Sequence, residues 1–190
     1  MELILASNSP RRKELLQKGG YSFKIISSDY EESLNVDDPI LTATTFAKGK
    51  AQSVFDRIID KENVIVIGAD TVVYHNGEIL GKPKTEQNAI EMLKSLSGNL
   101  HSVITGYAII GNGINIVGHA ESKVEFNVLS DNVIERYILS KLYQGKAGSY
   151  GIQDGYGLVK NCIGSVDNVI GLPTEKIFPI LDRYLKKQLY

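Results

Sequence analysis

Apolar and polar positions along the chain divide it into short buried strands and amphipathic helices. Residues 2–6, Glu-Leu-Ile-Leu-Ala, are a short apolar run and predict a buried strand. Ser7-Asn8-Ser9-Pro10 follows, with Ser9 a good N-cap and Pro10 a good first helical residue. That helix runs through Leu15 and Leu16 and stops at Gly19-Gly20. Tyr21 to Ser27 reads as a strand, and the acidic stretch Asp29 to Asp38 as a loop. Asp38-Pro39 opens a second helix by the same cap logic, carrying Ala43, Phe46, Ala47, Lys50 and Ala51 on to about Ile59. Val64 to Tyr74 is strongly β-branched and predicts a strand, with Gly68-Ala69-Asp70 in its middle.

The second half continues in the same way. His75-Asn76-Gly77-Glu78 predicts a hairpin turn. Thr85 caps a helix whose Ala89, Met92, Leu93 and Leu96 fall at helical spacing, ending at Ser97-Gly98. His101 to Ile110 and Ile114 to Val128 form a long hairpin around Gly111-Asn112-Gly113. Ser130 caps a helix holding Ile134, Tyr137, Ile138 and Leu142. Gly145 to Gly157 is rich in glycine and tyrosine and predicts a loop; Tyr156 to Val169 predicts two short strands. Gly171-Leu172-Pro173 opens a last helix, which Pro179 either kinks or begins. Helices mixed with both hairpin and crossover connections indicate an α/β fold with a mixed sheet and flanking helices, not a regular doubly wound one. With no repeat, low-complexity segment or linker, residues 1–190 read as one domain.

Composition narrows the function classes. With 190 residues, 43% hydrophobic and 23% charged, the chain is an ordinary globular one that needs no covalent staple. The single cysteine, Cys162, excludes an internal disulfide and suits a reducing compartment. A formal net charge of −1 argues against a general nucleic-acid binder. No apolar run approaches the ~20 residues of a membrane span. Met1 to Ser9 has an acidic second residue and no long apolar core, so it does not read as a secretory signal, and a cytoplasmic protein is expected.

The strongest chemical signal is Leu5-Ala6-Ser7-Asn8-Ser9-Pro10-Arg11-Arg12. Arginines in the first turn of a helix oppose its dipole at a cost of a few tenths to about 1 kcal/mol each unless an anion sits there. Free backbone N–H groups, serine hydroxyls and two guanidinium forks make a phosphate site. On spacing alone the segment is equally a plain capped helix with solvated arginines. Lys50 lies near an apolar helix face, where it either snorkels or points at an anion. Asp70 interrupts a β-branched strand, a costly place for a carboxylate unless paired or metal-bound. Lys82 lies in the rigid Gly81-Lys82-Pro83-Lys84 turn and Glu32 in the acidic loop; alone, each reads as surface. As a set they suit a triphosphate: Arg11, Arg12, Lys50 and Lys82 neutralise its charge. Glu32 and Asp70 can hold a hard divalent cation, Mg²⁺ or Mn²⁺, near the attacking water. The three histidines read as dispersed and structural, without zinc spacing, and Cys162 has no histidine nearby in sequence to make it a nucleophile.

These segments resemble the Maf family. Leu5 to Arg12 with Glu14-Leu15-Leu16 resembles its opening signature, and Phe46-Ala47-Lys48-Gly49-Lys50-Ala51 its lysine helix. Gly68-Ala69-Asp70-Thr71-Val72-Val73, Gly81-Lys82-Pro83 and Ser97-Gly98 with His101 to Gly106 are similar to its central motifs. Lys146 to Gln153 and Val169-Ile170-Gly171-Leu172-Pro173 complete an ordered match over almost the whole chain. The resemblance implies a fold related to the inosine triphosphate pyrophosphatases, with two lobes around a cleft. It also implies metal-dependent cleavage between the α and β phosphates, and a homodimer. Carried over by position, Ser7, Ser9, Arg11, Arg12 and Lys50 would hold phosphates, and Glu32 and Asp70 would serve metal and water. Lys82 and Arg12 would stabilise charge, and Gln153 would face the base.

The Tyr150-Gly151-Ile152-Gln153 run resembles the branch acting on dTTP, UTP and related modified pyrimidine nucleotides. A glutamine amide offers both donor and acceptor to a pyrimidine edge. Three departures stand out: Ser149 where alanine is common, Asp154-Gly155-Tyr156-Gly157 in a glycine-rich stretch, and Glu31-Glu32 where Asp-Glu is common, which matches Glu32 unless the register shifts one residue to Glu31. The alternatives are the same chemistry on 7-methyl-GTP, or a nucleotide-binding regulator of septum formation without essential turnover.

Overall fold

The computed structural model describes residues 1–33 and 37–185. Strand β1 (Glu2–Leu5) leads into helix α1 (Pro10–Lys18), capped by Ser9 and stopped at Gly19 and Gly20. Strand β2 is only Lys24–Ile25, shorter than the predicted 21–27. Its neighbour Tyr21 is used otherwise, packing on Phe178 with ring centroids 5.0 Å apart and donating to Asp182 at 2.9 Å. The acidic stretch is a loop over residues 29–33 and 37–38, while its residues 34–36 lie outside the described ones. Helix α2 (Pro39–Asp56) starts where the Asp38 carboxylate accepts from the Ile40 and Leu41 N–H groups, and it ends at Asp56 rather than about Ile59.

Strand β3 (Val64–His75) turns through Asn76-Gly77 into β4 (Glu78–Leu80). Both turn residues have positive φ, the geometry that favours glycine and asparagine in two-residue hairpins. His75 is therefore the last strand residue, not part of the turn. Helix α3 (Glu86–Leu96) follows Thr85, then the long hairpin β5 (Leu100–Gly111) and β6 (Ile114–Phe126). Helix α4 (Asp131–Leu139) is capped by Ser130 and ends before Leu142, because Lys141 takes a positive φ.

The last part departs most from expectation. Residues 156–169 hold one strand, β7 (Val159–Ile163), and then helix α5 (Val166–Ile170) rather than a second strand. Ser165 caps α5, and the wholly buried Asn168 amide donates to the Val103 carbonyl and the Ser122 hydroxyl, both at 3.0 Å. Those anchors hold a helical turn that three β-branched residues, Val166, Val169 and Ile170, disfavour. Helix α6 (Thr174–Leu185) begins at Thr174 and continues through Pro179.

One mixed sheet runs β2-β1-β3-β5-β6-β7, with β4 on the edge of β3. β1 is parallel to β2 and β3, and the remaining pairs are antiparallel. Side chains alternate between the two faces of a strand. On β3, Val64 and Val66 pack under α2 with Ala47, Ala51 and Val54, whereas Ile65, Ile67 and Ala69 face α1 and α6 through Leu15, Leu16, Ile177 and Leu181. The far ends of β3, β5 and β6 pack with α3 and α4 around Leu93, Phe126, Ile134 and Tyr137, forming the second lobe. No helix among the described residues is long and apolar enough to cross a membrane.

Candidate active site

The cleft opens at a gap in the sheet. β1 pairs with β3 only as far as Leu5 opposite Ile67, and β4 covers the same edge only from Val73, which lies opposite Leu80, onward. Between them the edge of β3 carries Gly68 to Val72 with no strand beside it. A cavity of about 480 Å³ lies there, reached by residues of both lobes. Five cationic side chains line it, Arg11, Arg12, Lys50, Lys82 and Lys146, against two carboxylates, Glu32 and Asp70. A chain of net charge −1 thus concentrates positive charge in one concavity, which draws a polyanion.

The period-2 rule puts Asp70 on the α2 face of β3, and there it meets Lys50. Lys50 Nζ donates to Asp70 Oδ1 at 2.6 Å and lies 2.6 Å from Glu32 Oε1. Lys50 and Asp70 are 8% and 5% exposed, so each supplies the charge that makes burial of the other tolerable. Helix α2 reaches Asp70 because the sheet beneath it is bare. A Cβ on Gly68 would lie 2.2 Å from the Ala47 carbonyl oxygen, and one on Gly106 would lie 2.3 Å from that of Ala43. Tyr30 lies over Gly49 and against Phe46, and Ser28 bonds Ser53 at 2.7 Å, so the acidic loop is moored on α2 beside Lys50. This fixes the register: Glu32 lines the cleft and Glu31 does not. Burial raises the Glu32 carboxyl, but the Lys50 hydrogen bond and the charges of Lys50, Lys82 and Arg12 hold it below its ordinary value.

Arg12 is aimed inward by three acceptors. Nε donates to the Gly171 carbonyl at 2.8 Å, Nη2 to Thr71 Oγ1 at 3.1 Å and Nη1 to Ser7 Oγ at 3.3 Å. Thr71 Oγ1 lies 2.9 Å from Thr105 Oγ1, whose proton goes to the Asn168 carbonyl. Burial, and to a lesser degree Arg11, lowers the Arg12 pKa, while Asp70 and Glu32 oppose that shift. Ser9 also lines the cleft, but its hydroxyl caps α1. Arg11 lines the cleft with no ion-pair partner among the described residues. Across the cleft, Lys82 is exposed and stands 3.9 Å from Glu32. Gln153 lines the second-lobe wall, its amide not hydrogen-bonded to any described residue.

The carboxylates suit a hard cation. Glu32 and Asp70 already converge on one positive group, Lys50 Nζ, and both offer oxygen donors of the kind Mg²⁺ or Mn²⁺ takes. Among the described residues no group of three or more His, Cys, Asp or Glu forms a metal cluster. The remaining positions on such an ion would fall to water and phosphate oxygens, as is usual for Mg²⁺.

The histidines are less dispersed than the sequence implies. His75 and His101 face each other edge-on with ring centroids 6.4 Å apart, one step past the Tyr74–Ser102 pair of the β3–β5 ladder. Nε2 of His101 shares a 2.7 Å hydrogen bond with the Tyr150 hydroxyl. Burial, with a smaller contribution from His75, pushes His101 down to about 4 from 6.5. Both folded and unfolded chains hold it neutral above about pH 6.5. Between about 6.5 and 4 the unfolded chain alone takes up the proton, so stability should fall by about 1.4 kcal/mol per pH unit. Denaturant midpoints from pH 7 to 4 test this: the slope should flatten in His101→Gln, and equal slopes would refute it. Cys162 pairs with Val124 across the sheet, and burial raises its thiol, the wrong direction for a nucleophile.

Sequence reasoning named the charged groups but passed over Thr71, Lys146 and the Gly171 carbonyl. Thr71 stands directly opposite Thr105, so the strand register would have found that pair. The Gly171 contact spans 159 positions and has no local signature.

A family model described as Maf-like protein matches residues 2–184. The chain is 44% identical over 181 residues to a dTTP/UTP pyrophosphatase of Pyrococcus abyssi, with 94% of each chain covered. It is 43% identical over 186 residues to a dTTP/UTP pyrophosphatase of Alkaliphilus metalliredigens, covering 96% of this chain and 95% of the relative. A solved nucleoside-triphosphatase / dITP/XTP pyrophosphatase from Mycobacterium abscessus aligns over 100% of this chain and 99% of its own, at 14% identity and a TM-score of 0.42.

Proposed function

The chain belongs to the Maf-like family, and from that premise we propose that it hydrolyses pyrimidine nucleoside triphosphates, dTTP and UTP foremost, to the monophosphate and pyrophosphate. The observation that carries this reading is the polarised cleft. Arg11, Arg12 and the Lys50–Asp70–Glu32 cluster occupy the first-lobe side, and Lys82, Lys146 and the Gln153 segment lie on the second.

The phosphates bind at the start of α1, where Ser7, Arg11, Arg12 and the helix N–H groups converge. Glu32 and Asp70 would hold a divalent cation such as Mg²⁺ or Mn²⁺, which when bound neutralises phosphate charge and lowers the pKa of a bound water. Asp70 accepts the proton of the attacking water at its carboxylate. The water oxygen bonds to the α-phosphorus while the bond to the bridging oxygen on the β side breaks, and pyrophosphate leaves. Lys50 holds the Asp70 carboxylate in place through their 2.6 Å hydrogen bond. Lys82 and Arg12 stabilise the charge that grows on the transferring and leaving oxygens, a term that needs fixed donors. The Gln153 amide gives one donor and one acceptor to the pyrimidine edge. Such an enzyme would work in the cytoplasm as a homodimer, which light scattering on the purified chain would check.

Pyrophosphate release from dTTP, UTP, CTP, 7-methyl-GTP and ITP, with Mg²⁺ or Mn²⁺, tests the proposal. We expect dTTP and UTP to be turned over fastest, with one pyrophosphate per nucleotide and no reaction in a chelator. Orthophosphate as the first product would refute the reaction. Faster turnover of 7-methyl-GTP would keep the chemistry and overturn the role given to Gln153.

A further inference from the structure

A buried ion pair that the mechanism does not use lies beside the base-facing segment. Asp154 directly follows Gln153, in the stretch where this chain departs from the glycine-rich pattern of its family. Its Oδ2 accepts from the Tyr137 hydroxyl at 2.6 Å and from Lys146 Nζ. The Lys146 and Asp154 side chains are only 10% and 12% exposed, and Tyr137, on α4, is fully buried. The Asp154 N–H donates to the Gly151 carbonyl at 3.0 Å. Space around the network is filled: a Cβ on Gly151 would lie 2.7 Å from Asp154 Oδ2 and 2.8 Å from Lys146 Nζ. The Gly148 N–H donates to the Gly81 carbonyl at 3.1 Å, tying the same loop to the turn that carries Lys82.

A buried ion pair is a poor source of net stability, since desolvation offsets most of its attraction; what it supplies is one defined geometry. Here that geometry belongs to a loop with no strand or long helix of its own. Without the carboxylate, segment 151–153 would keep only its ends fixed, and the Gln153 amide would sweep across the cleft wall.

We propose that Asp154 is a positioning residue for base recognition, holding Lys146 and Tyr137 so that the Gly151-Ile152-Gln153 segment presents the Gln153 amide at one place. This rests on the pyrimidine reading above. It predicts a loss at the base end of the cleft and none at the phosphate end, a division that loosening of the fold would not produce.

The test is steady-state pyrophosphate release from dTTP and UTP by the unmodified chain, Asp154→Asn and Tyr137→Phe, with tripolyphosphate as a base-free competitive inhibitor. Tyr137→Phe keeps the ring's packing and removes only the hydroxyl, so it serves even if Asp154→Asn folds poorly. KM should rise about tenfold in Asp154→Asn and about threefold in Tyr137→Phe, with kcat within about twofold. Tripolyphosphate inhibition should not move, and preference for dTTP over ITP should shrink in step with KM. An unchanged KM in both variants overturns the proposal, as does a parallel weakening of tripolyphosphate inhibition. An unmodified chain that releases no pyrophosphate from any pyrimidine nucleotide overturns the functional reading and this inference together; active protein with unmoved variants overturns this inference alone.

Discussion

Asp70→Asn should lower turnover of dTTP and UTP by about 10²-fold or more while leaving the fold in place. The substitution conserves shape, so the β3–β5 ladder and the packing beneath α2 are undisturbed. On the mechanism proposed above it removes the group that takes the water's proton, because an amide at this position has no basic lone pair to offer. Lys50 does not become an orphan, since Glu32 Oε1 remains 2.6 Å away. Loss of one partner from a buried charge is costly, but loss of one of two is less so. The melting temperature should therefore change by a few degrees while activity collapses. Pyrophosphate release and a thermal melt on the same preparation separate the two effects. If activity stays within about tenfold, Asp70 is not the base, and Glu32 takes that role.

Gly68→Ala and Gly106→Ala should each destabilise the chain by about 3 kcal/mol and cripple the site as well. Neither glycine is needed for an unusual φ; each is needed because α2 crosses the strand where a side chain would stand. A methyl on Gly106 would lie 2.3 Å from the Ala43 carbonyl and 2.5 Å from the Thr44 nitrogen, both backbone atoms that cannot rotate away. Ordinary contact starts near 3.4 Å, so α2 must lift by about 1 Å. Lys50 rides on that helix, and displacements of about 1 Å in a catalytic constellation cost about 10²-fold. Denaturant unfolding with pyrophosphate release would show both losses. A variant as stable and as active as the unmodified chain would mean that α2 is not seated as described.

Local rules carried much of the fold. Ser9, Asp38, Thr85 and Ser130 all cap helices as their sequence positions imply, because capping is decided within four residues. The long β5–β6 hairpin was equally legible, since the Gly111-Asn112-Gly113 turn marks its centre. What failed depended on distant contacts. Segment 166–170 looks like a strand locally and is a helix because Asn168 finds Val103 and Ser122 far away in sequence. The candidate site was legible as a set of residue types, yet the sequence could not say that one ammonium joins Asp70 to Glu32. His75 and His101 read as unrelated because their meeting depends on the register of two strands that the sequence does not pair. Lys146 and Asp154 went unread because a lysine and an aspartate eight positions apart in a loop look solvated until the fold buries them.

The hydrogen bond from Arg12 to the Gly171 carbonyl has a consequence for the order of events during synthesis. The arginine leaves the ribosome near the start of translation, and its acceptor only near the end. A growing chain can form β1, α1 and even the hairpins, with Ser7 and Thr71 already in reach of that guanidinium, while its third acceptor is still missing. The full fixing of the guanidinium is therefore acquired late, when the last turn before α6 closes over α1. On the function proposed above, ribosome-bound intermediates stalled before residue 171 should hold a triphosphate more weakly than the finished chain.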